Sequence, residues 1–197
     1  MAERIALLYE LGSAVDMLDS LERTLVPVGL RLTHPSSGRV VLLDDEGEPM
    51  EVAPEELRLR LLTERDVRFQ WWFTGEHDVY CRVRQEGGIR IAALGMEGCS
   101  EAELEAIGTL LQDRFVSGGA ASVGLVFDPQ GATEDYDWDR FFVQKEELPV
   151  SAVPDRLPEA LGVTKPDLGR LGNLLSRAAV LNEGSLVIVR PAHSRSR

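Results

Sequence analysis

Between residues 67 and 94 apolar and polar side chains alternate. Val67, Phe69, Trp71 and Phe73 interleave with Arg68, Gln70, Trp72 and Thr74. Beyond Gly75-Glu76-His77, Val79, Cys81 and Val83 interleave with Asp78, Tyr80, Arg82 and Arg84. After Gln85-Glu86-Gly87 the series continues through Ile89, Ile91 and Ala93. A period of two puts one set on a buried face and the other on the opposite face. With three-residue loops the pattern predicts a three-stranded meander in which Trp72 faces Tyr80, Arg68 faces Arg84 and Arg82 faces Arg90.

Around the meander the periodicity changes. Residues 4–10 form an apolar run short enough for a buried strand. Ser13 is an N-cap for a helix with Val15, Leu18, Leu21 and Leu25 at helical spacing, stopped by Pro27 and Gly29. Strands are expected at 29–33, 39–44 and 49–52. Pro54-Glu55-Glu56 opens a second helix whose buried side is Leu57, Leu61 and Leu62. Ser100 caps a third, with a stripe of Leu104, Ile107, Leu110, Leu111 and Phe115. A strand at 121–127, an acidic stretch at 134–147, a helix at 167–181 and a strand at 185–190 complete the pattern. Strands outnumber helices and the hairpins are antiparallel, which predicts an α+β class: a mainly antiparallel sheet with helices packed on one face.

The expected organisation is one domain over 1–190. It comprises an acidic body at 1–148, a connector at 149–166 punctuated by four prolines, and a helix and strand at 167–190 that dock back, because a lone helix and strand cannot bury themselves. Residues 191–197 are expected to be a disordered tail.

Charge narrows the function classes. The net charge is -12; residues 1–148 carry 14 Lys+Arg against 29 Asp+Glu, and residues 149–197 carry 7 against 4. An acidic surface repels phosphate backbones and most bilayers, which argues against nucleic acid and membrane and favours a basic partner. No apolar run approaches the ~20 residues of a membrane span, and the start of the chain lacks a basic leader and a small-residue cleavage site. Cys81 and Cys99 have no CxxC spacing and read as free thiols, so the expected compartment is the cytosol. Lys145 and Lys165 are the only lysines, an arginine bias that points to a GC-rich, bacterial genome.

Motifs for catalysis, metal or cofactor are weak, and none is assigned. Asp135, Asp137, Asp139 and Glu146 fall at positions 1, 3, 5 and 12 of an EF-hand-like calcium loop. Arg140, however, stands where the loop needs glycine. The competing reading is a Thr133-capped helix with acids in its first turns and Trp138, Phe141 and Phe142 packed inward. His34, His77 and His193 have no metal spacing. Cys81 alternates into the core. Cys99, beside a helix start, is the sole candidate for a lowered thiol pKa, with no histidine near in sequence.

Two functional readings follow. The first is a non-enzymatic interaction protein of immunity or antitoxin type, neutralising a basic partner through Asp44, Asp45, Glu46, Glu134, Asp135, Asp137 and Asp139. The second is a small-ligand binder or enzyme that takes an anionic ligand on the outward meander face, using Arg68, Trp72, Tyr80, Arg82, Arg84 and Arg90. Against the second stands a purely internal reading, in which Asp78, Glu86 or the 134–147 segment neutralises those arginines.

Overall fold

The computed structural model describes residues 3–74, 77–133, 135–147, 157–183 and 185–192. They form a ten-stranded antiparallel sheet of order β3-β2-β4-β5-β6-β1-β7-β8-β10-β9, an α+β architecture. The first strand, β1 (Ile5–Glu10), is central, between β6 and β7. Helix α1 (Ala14–Leu25) follows, with the Ser13 hydroxyl accepting from the Asp16 amide at 3.0 Å, and a 3₁₀ turn through Pro27 ends it. The strand expected at 29–33 reduces to a bridge between Arg31 and Trp72. Strands β2 (Val40–Leu43) and β3 (Pro49–Val52) form one end of the sheet.

Helix α2 (Pro54–Thr63) buries Leu57 and Leu61, whereas Leu62, expected beside them, is 68% exposed. The meander is β4 (Asp66–Trp72), β5 (Asp78–Glu86) and β6 (Ile89–Gly95). Helix α3 (Glu101–Ser117) begins with a capping box between Ser100 and Glu103 and buries Leu104, Ile107, Leu111 and Phe115. Together α1, α2 and α3 cover one sheet face, packing on Val67, Phe69, Trp71, Cys81 and Leu94.

The meander's first hairpin keeps the expected faces but shifts by two: Arg68 pairs with Arg82, Gln70 with Tyr80 and Trp72 with Asp78. Its second hairpin differs in parity. The connection is the two-residue turn Gly87-Gly88, both at positive φ (54° and 83°), which glycine adopts at no steric cost. One residue fewer in the loop turns β6 over. Ala92 and Leu94 now face the helices, while Ile89 and Ile91 face the other side with Arg84. Arg90 moves to the helix face, where its cross-strand neighbours are Gln85 and Glu10.

Ile89 and Ile91 do not meet solvent because a second layer covers that half of the sheet. It consists of α4 (Trp138–Phe142), α5 (Lys165–Leu168) and the 3₁₀ turns at 169–177. Trp138, Phe141, Phe142, Leu171 and Leu174 pack there on Tyr9, Ile91, Val126, Leu161 and Val187. Strand β7 (Ser122–Asp128) and strand β8 (Ala160–Thr164), which lies in the proline-punctuated stretch, are buried between the two layers. The helix expected at 167–181 stops early: Gly172 takes φ 52°, ψ -126°, and residues 178–183 instead become β9 (Ala178–Glu183), paired with β10 (Leu186–Pro191). A full ladder outcompetes local helix propensity there. Residues 167–190 thus return to the sheet through β10, which pairs with β8 on one side and β9 on the other. Of the expected tail, 193–197 lies outside the described residues.

The second layer meets the sheet tightly at Gly124 on β7, where a Cβ would overlap the Phe142 ring. Gly124→Ala is therefore expected to lower the unfolding free energy by about 1–3 kcal/mol through overpacking. Urea melts check this, and an unchanged midpoint would mean that Phe142 is free to move aside.

Candidate functional site

The sheet face opposite α1–α3 is apolar and covered from β6 to β10, but polar over β4 and β5. Its cross-strand pairs run Asp66–Arg84, Arg68–Arg82, Gln70–Tyr80 and Trp72–Asp78. Two like-charged arginines directly opposed are unfavourable, and carboxylates resolve the conflict. Asp66 takes Arg82 side-on, with Nε at 2.9 Å from Oδ1, and lies 3.9 Å from Arg68. Arg84 reaches the other way, to Asp139 on α4 and to Glu86. The arginines form a row bracketed by acids, as the internal reading requires.

Asp139 is only 18% exposed and also accepts a 2.9 Å hydrogen bond from the Tyr9 hydroxyl. Burial, then the Asp139 charge, pushes that phenol far above its ordinary value. The Tyr9 ring stacks on Phe142 with centroids 4.5 Å apart. Asp137, not Thr133, caps α4, accepting from the Asp139 amide at 3.1 Å. Thr133 serves elsewhere: with the Ala132 amide it binds the buried Asp128 carboxylate, and it accepts from the Trp138 indole. Glu146 binds Arg140. Three of the four calcium-loop positions, Asp137, Asp139 and Glu146, are therefore engaged elsewhere, and among the described residues no three His, Cys, Asp or Glu converge as metal ligands. Glu134 lies outside the described residues.

At the opposite margin of the arginine row, Asp44-Asp45-Glu46-Gly47-Glu48 links β2 to β3. The Asp44 carboxylate accepts from the Glu46 amide at 3.0 Å and the Glu48 amide at 2.8 Å, an Asx-type turn. Gly47 supplies φ 86°. Arg68 Nη1 donates to the carbonyls of Asp44 and Asp45, both at 3.3 Å. Asp44 is thus spent on the turn. Asp45 is 92% exposed, with its carboxylate 3.4 Å from Arg68. Glu46 and Glu48 are exposed with no cation partner among the described residues. Glu48 was not singled out by the sequence, because only the turn geometry gives it the same outlook as Glu46.

The aromatic part of the row is half-buried. His34 meets Trp72 edge-on at 4.4 Å, and Tyr80 lies over Gly95. His77 stacks on Phe73 and lies 3.1 Å from Glu103. Both thiols are buried. Burial, joined at Cys99 by the Glu103 charge, pushes each up to about 12, the opposite of an activated nucleophile. One feature with no sequence signal is a groove of about 290 Å³ between α3 and β10, lined by Glu105, Glu159 and Arg190. Its parts are too far apart in the chain for any motif to join them. Burial there raises the Glu159 carboxyl.

The Arg82 hydrogen bond, ahead of the Arg82 and Arg68 charges, holds the Asp66 carboxyl below its ordinary 3.8 against the opposing effect of burial. A depressed folded-state pKa stabilises the fold above the unfolded value, and that contribution fades as pH falls through the folded value. The stability gap between wild type and Asp66→Asn should be constant near neutrality and shrink below pH 3.8. Thermal melts across that range test it; a gap persisting in strong acid would assign Asp66 a packing role instead.

Set against known protein families, characterised proteins and solved structures, the chain matches none.

Proposed function

We propose that the protein is a non-enzymatic bacterial interaction protein of the cytosol, of immunity or antitoxin type, that neutralises a basic protein partner. The observation that carries this reading is the acidic 44–48 turn. Its backbone is pinned by Asp44 and Arg68 while Asp45, Glu46 and Glu48 project outward. A carboxylate set that is already ordered loses little entropy on binding, and clustered charge steers a basic partner and raises its association rate. Asp135 and Asp137 extend the acidic surface at the far margin of the row, whereas Asp139 is engaged internally by Arg84 and Tyr9. The alternative, an anion site on Arg68, Trp72, Tyr80, Arg82, Arg84 and Arg90, has less support. Arg68, Arg82 and Arg84 are matched by carboxylates, and Arg90 belongs to the other face.

The test is affinity capture from native lysate with a salt gradient, followed by kinetics with the captured protein. A basic partner should elute at moderate salt, and Glu46→Lys/Glu48→Lys should slow its association by about tenfold or more with little change in melting temperature. An acidic partner, or binding indifferent to both salt and charge reversal, would overturn the proposal.

A further inference from the structure

The sheet has two outer strands, and they are built differently. Strand β3 is four residues long, begins with Pro49, which has no amide donor, and carries Glu51 with Arg39 4.0 Å away. Short length, proline and charge are the devices that protect an edge from pairing. Strand β9 lacks the first two, and its one charge, Glu183, sits at the turn end. It is six residues long, has no proline, bears no charge between 178 and 181, and exposes Val180 and Leu181. Among the described strands its one neighbour is β10.

The register shows which of its main-chain groups are open. Glu183 pairs with Leu186 across a two-residue connection, and such a closing pair exchanges both its hydrogen bonds. By alternation, residues 183, 181 and 179 bond to β10, and the amides and carbonyls of 182, 180 and 178 point away from the sheet.

We propose that β9 is a homodimer edge, at which two copies of the chain join by antiparallel β9–β9 pairing about a two-fold axis at Val180. In that register 178, 180 and 182 meet 182, 180 and 178 of the second copy, so the open groups on each side pair completely. Val180 meets its own copy across the axis, and each large Leu181 lies opposite a small Ala179. A second copy fits better than head-to-tail growth, because β3 lacks the donor at Pro49 and its charge opposes pairing; the two-fold contact closes instead of propagating. Electrostatics agrees. Each copy carries -12 overall, yet the excess lies in 1–148, and the described residues 157–192 hold 4 cations against 3 acids. The acidic turn adjoins β3, at the other end of the ten-strand order. At ~4.8 Å per strand that is roughly 43 Å away, several Debye lengths at physiological salt. The β9 edge is where two acidic copies meet with least repulsion. An edge contact buries less than the ~1,200 Å² of a standard interface, so the dimer is weak and concentration-dependent.

Sedimentation velocity of the full chain, from low micromolar to several hundred micromolar, is the test. The 21.8 kDa monomer should give way to a dimer as concentration rises. Val180→Pro removes an outward donor without taking a bond from β10, and Val180→Lys sets like charges across the axis. Each should weaken dimerisation by about tenfold or more without changing the melting temperature. Amide exchange of the wild type gives a reading free of any variant: protection at 178, 180 and 182 should rise with concentration. A wild type that stays monomeric throughout overturns the proposal, as it would if the edge serves another protein's strand. So does a dimer in which those three amides gain no protection.

Discussion

Strands β6, β1, β7, β8 and β10 carry apolar side chains on both faces, and the rest of the architecture follows from that constraint. One layer of helices cannot cover two faces. Helices α1 and α3 bury one, and the other must be closed by whatever chain remains. The 135–147 and 165–177 stretches do this with Trp138, Phe141, Phe142, Leu171 and Leu174. Arg170 ties the two stretches together, binding Asp167 on its own segment and the Phe141 and Glu146 carbonyls on the other, with its guanidinium over the Phe141 ring. A guanidinium with several donors in a fixed fork suits such a junction, where carbonyls at helix ends need partners.

The polar half of the same face is governed by a different constraint. Beyond the second layer the sheet meets water, and β4 and β5 place arginines there. Exposed ion pairs are each worth only about 0.2–1 kcal/mol, so the row adds little to overall stability. Its contribution is positional. Arg68 fixes the 44–48 turn through two carbonyls, and Arg84 fixes α4 through Asp139, so one face of one hairpin sets the attitude of both acidic segments.

Much of this was legible in the sequence. Alternation identified β4 and β5, caps at Ser13 and Ser100 placed α1 and α3, and proline marked the start of α2, because each signal is local. The errors arose where a local pattern had two solutions. Gln85-Glu86-Gly87-Gly88 permits a loop of two or three residues, and one residue reverses every side chain of β6. That error carried Arg90 onto the wrong face and hid the second core, since Ile89 and Ile91 looked like partners of Val83. The helix expected through 181 failed because residues 178–183 have no decisive local preference, and β10 decides their state. The acidic turn was visible as composition. Its rigidity depends on Arg68, a residue two dozen positions away, and no local pattern reports that.

The position of β1 has a consequence for how the chain comes to be folded. It is synthesised before the other nine strands of the sheet, yet it ends up in the middle, with Leu7 between Ala93 and Val126. Neither neighbour exists when it emerges. Until β6 is synthesised β1 has two unpaired edges and two apolar faces, and until the second layer is complete one of those faces stays open. Long-range pairing of this kind raises contact order and slows folding. A nascent chain that carries such a segment well ahead of its partners is the form most exposed to aggregation, and residues 5–10 gain their shelter only when β6, β7 and the second layer have followed them.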